Sequence, residues 1–248
     1  MTPFTHDKQE RIRAAKSPEA SMDNIGIVFD LNGTLLFDSR YHIDAWKIFV
    51  EELTFKNPTD EDVKQFIVGK TAKEILEHFT GYELSDDMIT QFTDEKERVY
   101  RSLIARDELS LAPGVTEFLN FLLLSRVPIT IATTANLENM NYYFERYNLE
   151  RWFRWEKVII ANGTIPLKPH PDMYIAAIGK LELEPSRVAV FEDSATGVRA
   201  AFNAGVRNII AVTGDNTDES VRALPGIIAC INDFNDLGKD LKEIYVQA

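Results

Sequence analysis

The sequence predicts an α/β fold: a doubly wound, Rossmann-like parallel sheet with an inserted α-helical segment. Three observations predict it. Short apolar runs alternate with segments of helical period along most of the chain. A long stretch of purely helical texture interrupts that alternation after the first run. The apolar runs end in polar or acidic residues, as strands do at the ligand-binding edge of such sheets.

The first run, Ile25 to Phe29, closes on Asp30 and is followed by the turn residues Asn32-Gly33, so it reads as a buried strand. From about Ser39 to Leu111 the pattern is helical: His42, Trp46, Phe49 and Val50 fall near helical spacing, and so do Ile75, Leu76 and Phe79. Asn57-Pro58-Thr59-Asp60 ends the first helix and places Thr59 or Asp60 at the cap of the next. Between Asp94 and Arg106 the inner face is Val99, Tyr100, Leu103 and Ile104. Pro113-Gly114 marks the return to alternation. Helices are then expected at Val115 to Leu124, Asn136 to Tyr147, Pro171 to Leu181, Gly197 to Ala204 and Phe234 to Tyr245. Strands are expected at Pro128 to Ala132, Val158 to Ala161, Val188 to Phe191, Asn208 to Val212 and Ile227 to Cys230. The expected division is a polar extension (1–24), an α/β core (25–38 and 112–248) and a helical cap (39–111).

A chain of 248 residues with 45% hydrophobic residues buries a sizeable core without covalent staples. The net charge of −12 argues against a nucleic-acid partner. One cysteine, Cys230, rules out an intrachain disulfide and fits a reducing compartment. No segment has the length and apolarity of a membrane span, and the first 24 residues lack the apolar stretch of a secretory signal. A cytoplasmic protein is therefore expected, with no membrane association and no obligate protein partner.

Four elements carry candidate chemistry. Asp30, at the end of a buried strand, is a sound nucleophile for a phosphoryl group, and Gly33 allows the sharp turn that brings backbone N–H groups to phosphate oxygens. Thr133 ends a second strand with a hydroxyl suited to a phosphate oxygen. Lys168, flanked by prolines, offers a cation against the phosphate and the attacking carboxylate. Glu192-Asp193 place adjacent carboxylates after a buried strand, an arrangement that suits Mg²⁺. Each has a plainer reading: a solvated turn Asp, a Thr helix cap, a surface lysine, and an acidic helix start capped by Asp193 or Ser194.

In this order and context the four elements resemble the haloacid dehalogenase superfamily, over nearly all of the chain from Ile25 to Phe234. The helical insertion after the first motif resembles the cap of its β-phosphoglucomutase-like branch. The resemblance implies Asp30 as nucleophile and Thr133 and Lys168 as phosphate holders. It implies that Asp30, the backbone carbonyl of Asn32 and Asp193 bind Mg²⁺, with Glu192 a further ligand or an acid behind it. On the substrate side it implies His42 on the first cap helix, Gly69 and Lys70 in the cap loop, and Arg101 as a cap cation. Thr134 and Asn136, beside Thr133, complete the expected contacts. The branch carries an Arg in the cap loop that grips a second phosphate; here Ala72 falls at that position, with Lys70 or Lys73 as substitutes.

One position departs from the family pattern. The usual Asp-x-Asp has its second carboxylate as general acid and base, whereas this chain has Asn32, an amide that neither gives up nor takes a proton at ordinary pH. Asn32 is either a substitution that traps an intermediate, a natural residue whose task falls to His42 or water, or the mark of a phosphate-binding protein with little turnover. The expected function is hydrolysis of a small phosphate monoester, a sugar phosphate, through an aspartyl-phosphate on Asp30 with Mg²⁺. The alternatives are a phosphomutase, a low-turnover protein that binds small phosphorylated metabolites, and a dehalogenase-like reaction at carbon.

Overall fold

The structure, a computed structural model, describes residues 25–215, 219–235 and 237. The expected polar extension, and most of the expected helix from Phe234 to Tyr245, lie outside the described residues. Five strands form one sheet: β1 (Gly26–Phe29), β2 (Ile129–Ile131), β3 (Val188–Glu192), β4 (Asn208–Val212) and β5 (Ile227–Ile231). Their order is β2-β1-β3-β4-β5, and every neighbouring pair is parallel. Parallel pairing needs crossovers, and the helices that make them cover both faces. The strands accordingly read as continuous apolar runs, and β1 and β3 are buried along their whole length.

Alternate side chains of each strand feed opposite layers. Ile27, Phe29, Ala189 and Phe191 belong to one core cluster, and Val28, Val188 and Val190 to the other. The first layer is aromatic. Phe29 stacks on Phe191 at 5.1 Å between centroids and meets Phe118 and Phe153 edge-on. It is covered by α5 (Val115–Leu124) and α6 (Leu137–Tyr147), and the second layer by α7 (Asp172–Leu181) and α8 (Ala195–Asn203).

The stretch after β1 is helical, as expected: α1 (Ser39–Thr54), α2 (Asp60–Asp62) running into a π-helical turn (Val63–Ile67), α3 (Ala72–Thr80) and α4 (Asp86–Arg106). Thr59 and Thr71 each close a capping box, with Asp62 and Glu74 reaching back to the cap N–H. This insertion has its own apolar cluster, including Trp46, Phe49, Val50, Ile75 and Leu76. Its base is welded to the sheet layer through Tyr41, Ala45, Tyr100, Leu103 and Ile104. Among the described residues no helix is long and apolar enough to cross a membrane.

Two sequence expectations need correction. Val158 to Ala161 is not a strand: only Ile159 pairs, in a single bridge to Ala132, because a 3-10 turn (Trp155–Lys157) precedes it and the turn at Gly163 follows. The helix expected from Gly197 starts earlier, at Ala195, because Ser194 accepts the Gly197 N–H and caps it.

Candidate active site

The register of the sheet assembles the site. Phe29 lies opposite Phe191, so the chain leaves β1 and β3 side by side, and the Asp30 N–H donates to the Phe191 carbonyl at 2.9 Å. Asp30, Glu192 and Asp193 therefore share the carboxyl edge of the sheet, with one carboxylate oxygen of each within 4.8 Å of the other two. All three are buried. Lys168, on the loop before α7, bridges two of them, with Nζ 2.5 Å from Asp30 Oδ1 and 2.6 Å from Glu192 Oε1.

Glu192 is fully committed. Oε1 also accepts from the Tyr174 hydroxyl at 2.9 Å, and Oε2 accepts from the Ser194 N–H and hydroxyl at 2.9 and 3.0 Å. Its geometry is that of a brace for Lys168. Gly197 makes room for it, since a Cβ there would sit 1.6 Å from Glu192 Oε1.

Three carboxylates against one buried ammonium leave an excess of negative charge. Burial pushes the Asp30 carboxyl up to about 7; the Lys168 charge pulls it down and Glu192 pushes it further up. Burial, then Glu192 and Asp30, hold the Asp193 carboxyl well above the ordinary range. Lys168 is held protonated: burial disfavours its charge, but Asp30 and Glu192 more than offset that. Such a set of hard oxygen donors short of positive charge fits a divalent cation such as Mg²⁺. Gly33, at φ 79°, keeps space beside it: a Cβ there would lie 2.2 Å from Asp193 Oδ2. Thr133, buried at the end of β2, accepts the Ala135 N–H on Oγ1 at 3.1 Å, which leaves its hydroxyl hydrogen to donate.

Asn32 sits in a polar nest that the sequence reading missed. Its Nδ2 donates to Asp38 Oδ2 at 2.6 Å and to the Tyr143 hydroxyl at 2.9 Å, so both amide hydrogens are used. Asp38 is completely buried and also accepts from the Gly33 N–H at 3.0 Å and from the Tyr100 hydroxyl. Burial raises its carboxyl, but hydrogen bonds and charge from His42, with Tyr100 and Asn32, bring it below the ordinary carboxylate value. Asp38 occupies the N-cap of α1 but makes no side-chain capping bond there, so its carboxylate is left for the nest.

Above Asn32 lies a cleft of about 310 Å³ between the insertion and the core, lined by His42, Thr93, Glu97, Thr134, Asn136 and Asn139 among others. His42 stacks on Tyr100 at 4.0 Å, with Nδ1 2.8 Å from Lys96 Nζ and Nε2 3.5 Å from Asp38. Lys96, buried on α4, pairs with Glu97 at 2.8 Å, and Glu97 accepts from Asn139 Nδ2 at 2.7 Å. Asn136 caps α6. Thus His42, Thr134 and Asn136, expected from sequence, do border the cleft, while Lys96, Glu97 and Asn139 were missed. Arg101 is turned to the core instead, 2.5 Å from Asn139 Oδ1 and 3.2 Å from Glu138. Gly69 and Lys70 are exposed on the turn before α3 and do not border this cavity.

The family model for haloacid dehalogenase-like hydrolases matches residues 27–212. A phosphorylated carbohydrates phosphatase of Thermotoga maritima is 26% identical over 209 residues, 83% of this chain and 93% of that protein. A β-phosphoglucomutase of Bacillus subtilis is 26% identical over 188 residues, covering 73% and 80%. Among solved structures, a HAD hydrolase of family IA, variant 3, from Entamoeba histolytica superimposes with a TM-score of 0.84 at 29% identity, over 90% of this chain and 100% of that one. With its parallel sheet, its helical insertion and the Asp30–Lys168–Asp193 edge, the chain belongs to the haloacid dehalogenase-like hydrolase family, in the β-phosphoglucomutase-like branch.

Proposed function

We propose that this protein hydrolyses a small phosphate monoester, a sugar phosphate, by way of an aspartyl-phosphate on Asp30. The observation that carries this reading is the buried edge where Lys168 holds Asp30 while Asp193 stands beside both. Its likeness to the phosphorylated carbohydrates phosphatase of Thermotoga maritima supports the substrate class. Asp30, Asp193 and the backbone carbonyl of Asn32 would hold Mg²⁺, which supplies charge to the phosphoryl oxygens when bound. The insertion of residues 39–111 serves as the cap over the organic group.

Asp30 attacks phosphorus in line, its new O–P bond forming as the bond to the leaving alcohol breaks. Lys168 neutralises charge on the carboxylate and the phosphoryl group, held in place by Glu192. Thr133 donates to a phosphoryl oxygen. In the second half, water attacks phosphorus, the Asp30–phosphorus bond breaks, and inorganic phosphate leaves. Asn32 presents its amide oxygen to the cleft, because Asp38 and Tyr143 hold its nitrogen. It orients a water or hydroxyl as an acceptor but neither gives nor takes a proton, so a sugar alkoxide takes its proton from water as it leaves. With a good leaving group such as nitrophenolate, breakdown of the phosphoenzyme is the slow half.

The test is rapid-mixing hydrolysis of p-nitrophenyl phosphate with Mg²⁺. A burst of nitrophenol near one equivalent, followed by slow phosphate release, is expected. Asp30→Asn abolishes both phases, by at least about a thousandfold. Retention of turnover in Asp30→Asn sinks the reading.

A further inference from the structure

Apart from Ala135, the described residues bordering the cleft above Asn32 carry hydrogen-bonding side chains; Glu97 is the one carboxylate among them and none is a lysine or arginine. We infer that the leaving group is an uncharged, polyhydroxylated alcohol, and that esters bearing a second phosphate are rejected. This rests on the phosphoryl-transfer reading above and adds the identity of the group on the far side of the bond.

A second phosphate needs a cation free to meet it. Among the described residues the nearby lysines and arginines are either paired or lie outside the cleft lining. Lys96 is 3% exposed, with its ammonium between Glu97 and His42 Nδ1, both at 2.8 Å. Arg101 is held by Asn139 and Glu138, and Lys73 lies 3.7 Å from Glu77 on its own helix. Lys70 is exposed and does not border the cavity. A dianion placed in the cleft would leave water and meet the Glu97 carboxylate but no free cation, because the ammonium beside Glu97 is already engaged by it, which discriminates against the dianion. Burial raises the Glu97 carboxyl, but Lys96 and His42 bring it below its ordinary value, so it is ionised at neutral pH. For hydroxyl groups the same walls are well equipped. Glu97 and the Asn32 amide oxygen accept, and the Thr134 hydroxyl does both. The cavity, about 310 Å³, is at the small end for ligand pockets.

The chemistry of the reaction follows. Returning the phosphoryl group from Asp30 to a hydroxyl of a sugar monophosphate forms an O–P bond to the sugar and makes a bisphosphate in this cleft. A site that rejects bisphosphates passes the group to water instead, which separates this chain's activity from that of a mutase.

The experiment is competition against p-nitrophenyl phosphate hydrolysis by matched pairs: glucose 6-phosphate with glucose 1,6-bisphosphate, and fructose 6-phosphate with fructose 1,6-bisphosphate. The monophosphates should inhibit at concentrations at least about tenfold lower than the bisphosphates. Glu97→Gln should narrow that ratio. Thr93→Lys, which keeps the Lys96–Glu97 pair and adds a cation to the wall, should narrow or reverse it. Equal or tighter binding of the bisphosphates by the parent protein overturns the inference, as does the absence of competition by every monophosphate. The phosphoryl-transfer reading stands or falls separately, on p-nitrophenyl phosphate turnover and its loss in Asp30→Asn; if there is no turnover, calorimetric titration with the same pairs still reads the discrimination.

Discussion

At the scale of single residues, position 32, where the family pattern has a carboxylate, holds an amide whose nitrogen donates to the carboxylate of Asp38. Asp38 is buried against the Asn32 amide, which satisfies it with a donor. An Asn32→Asp replacement alone would set two carboxylates in contact, 2.6 Å apart at the present positions. It should therefore recover little of the roughly hundred- to ten-thousandfold that a general acid–base group can supply. The double exchange Asn32→Asp with Asp38→Asn keeps the number of donors and acceptors and puts the carboxylate back beside the reacting bond. Steady-state hydrolysis of p-nitrophenyl phosphate should be at least about tenfold faster in the double variant than in Asn32→Asp. A single variant as fast as the double would show that Asp38 does not govern this position. Asn32 was visible as a departure in the sequence, but its partner was not. The two are six positions apart along the chain, and nothing in the spacing says that the turn between them folds back on itself.

At the scale of elements, the turn after β1 is the most constrained piece of backbone. Gly33 has φ 79°, a conformation that costs an L side chain about 1–2 kcal/mol, and a Cβ would strike the Asp193 carboxylate. Gly33→Ala should lower thermal stability by about that amount or more and weaken Mg²⁺ binding, because Asp193 must move. Calorimetry with and without Mg²⁺ checks both, and an unchanged melting temperature would remove the steric argument. The helices were legible for local reasons. Thr59, Thr71, Ser85 and Asn136 each cap a helix with a side-chain acceptor, and apolar spacing marks the buried faces. The false strand at Val158 to Ala161 shows the limit of that approach. Three aliphatic residues in a row look alike whether they pair along a neighbour or merely pass its edge, and only Ile159 found a partner.

At the scale of the whole molecule, the sheet concentrates charge at one edge, and that links stability to pH and metal. With the Asp30 carboxyl at about 7 when folded against an ordinary 3.8, the folded, metal-free protein keeps a proton that the unfolded chain has lost anywhere between those values. The folded state binds more protons there, so this group makes stability fall as pH rises through that window. Mg²⁺ held as proposed would take the place of the proton. The rise in melting temperature on adding Mg²⁺ should thus be small near pH 5, larger near pH 7.5, and accompanied by proton release on binding. An equal rise at both pH values would contradict the assignment of Asp30 as a metal ligand.

The sequence alone determined the alternation of strands and helices, the place of the helical insertion, the three motifs at strand ends and the proline-flanked loop of Lys168, because each depends on local period, turn chemistry and position relative to a buried run. Tertiary structure alone decided what those residues do to one another. Parallel pairing of β1 with β3 brings Asp30 to Glu192 across more than 160 residues, and the Tyr174 and Ser194 contacts then assign Glu192 to Lys168. The Lys96–Glu97–Asn139 chain that shapes the cleft joins α4 to α6. In the sequence these are an ordinary charged helix and an ordinary amide, because burial and partners separated by long loops, not residue type, set their charge and direction.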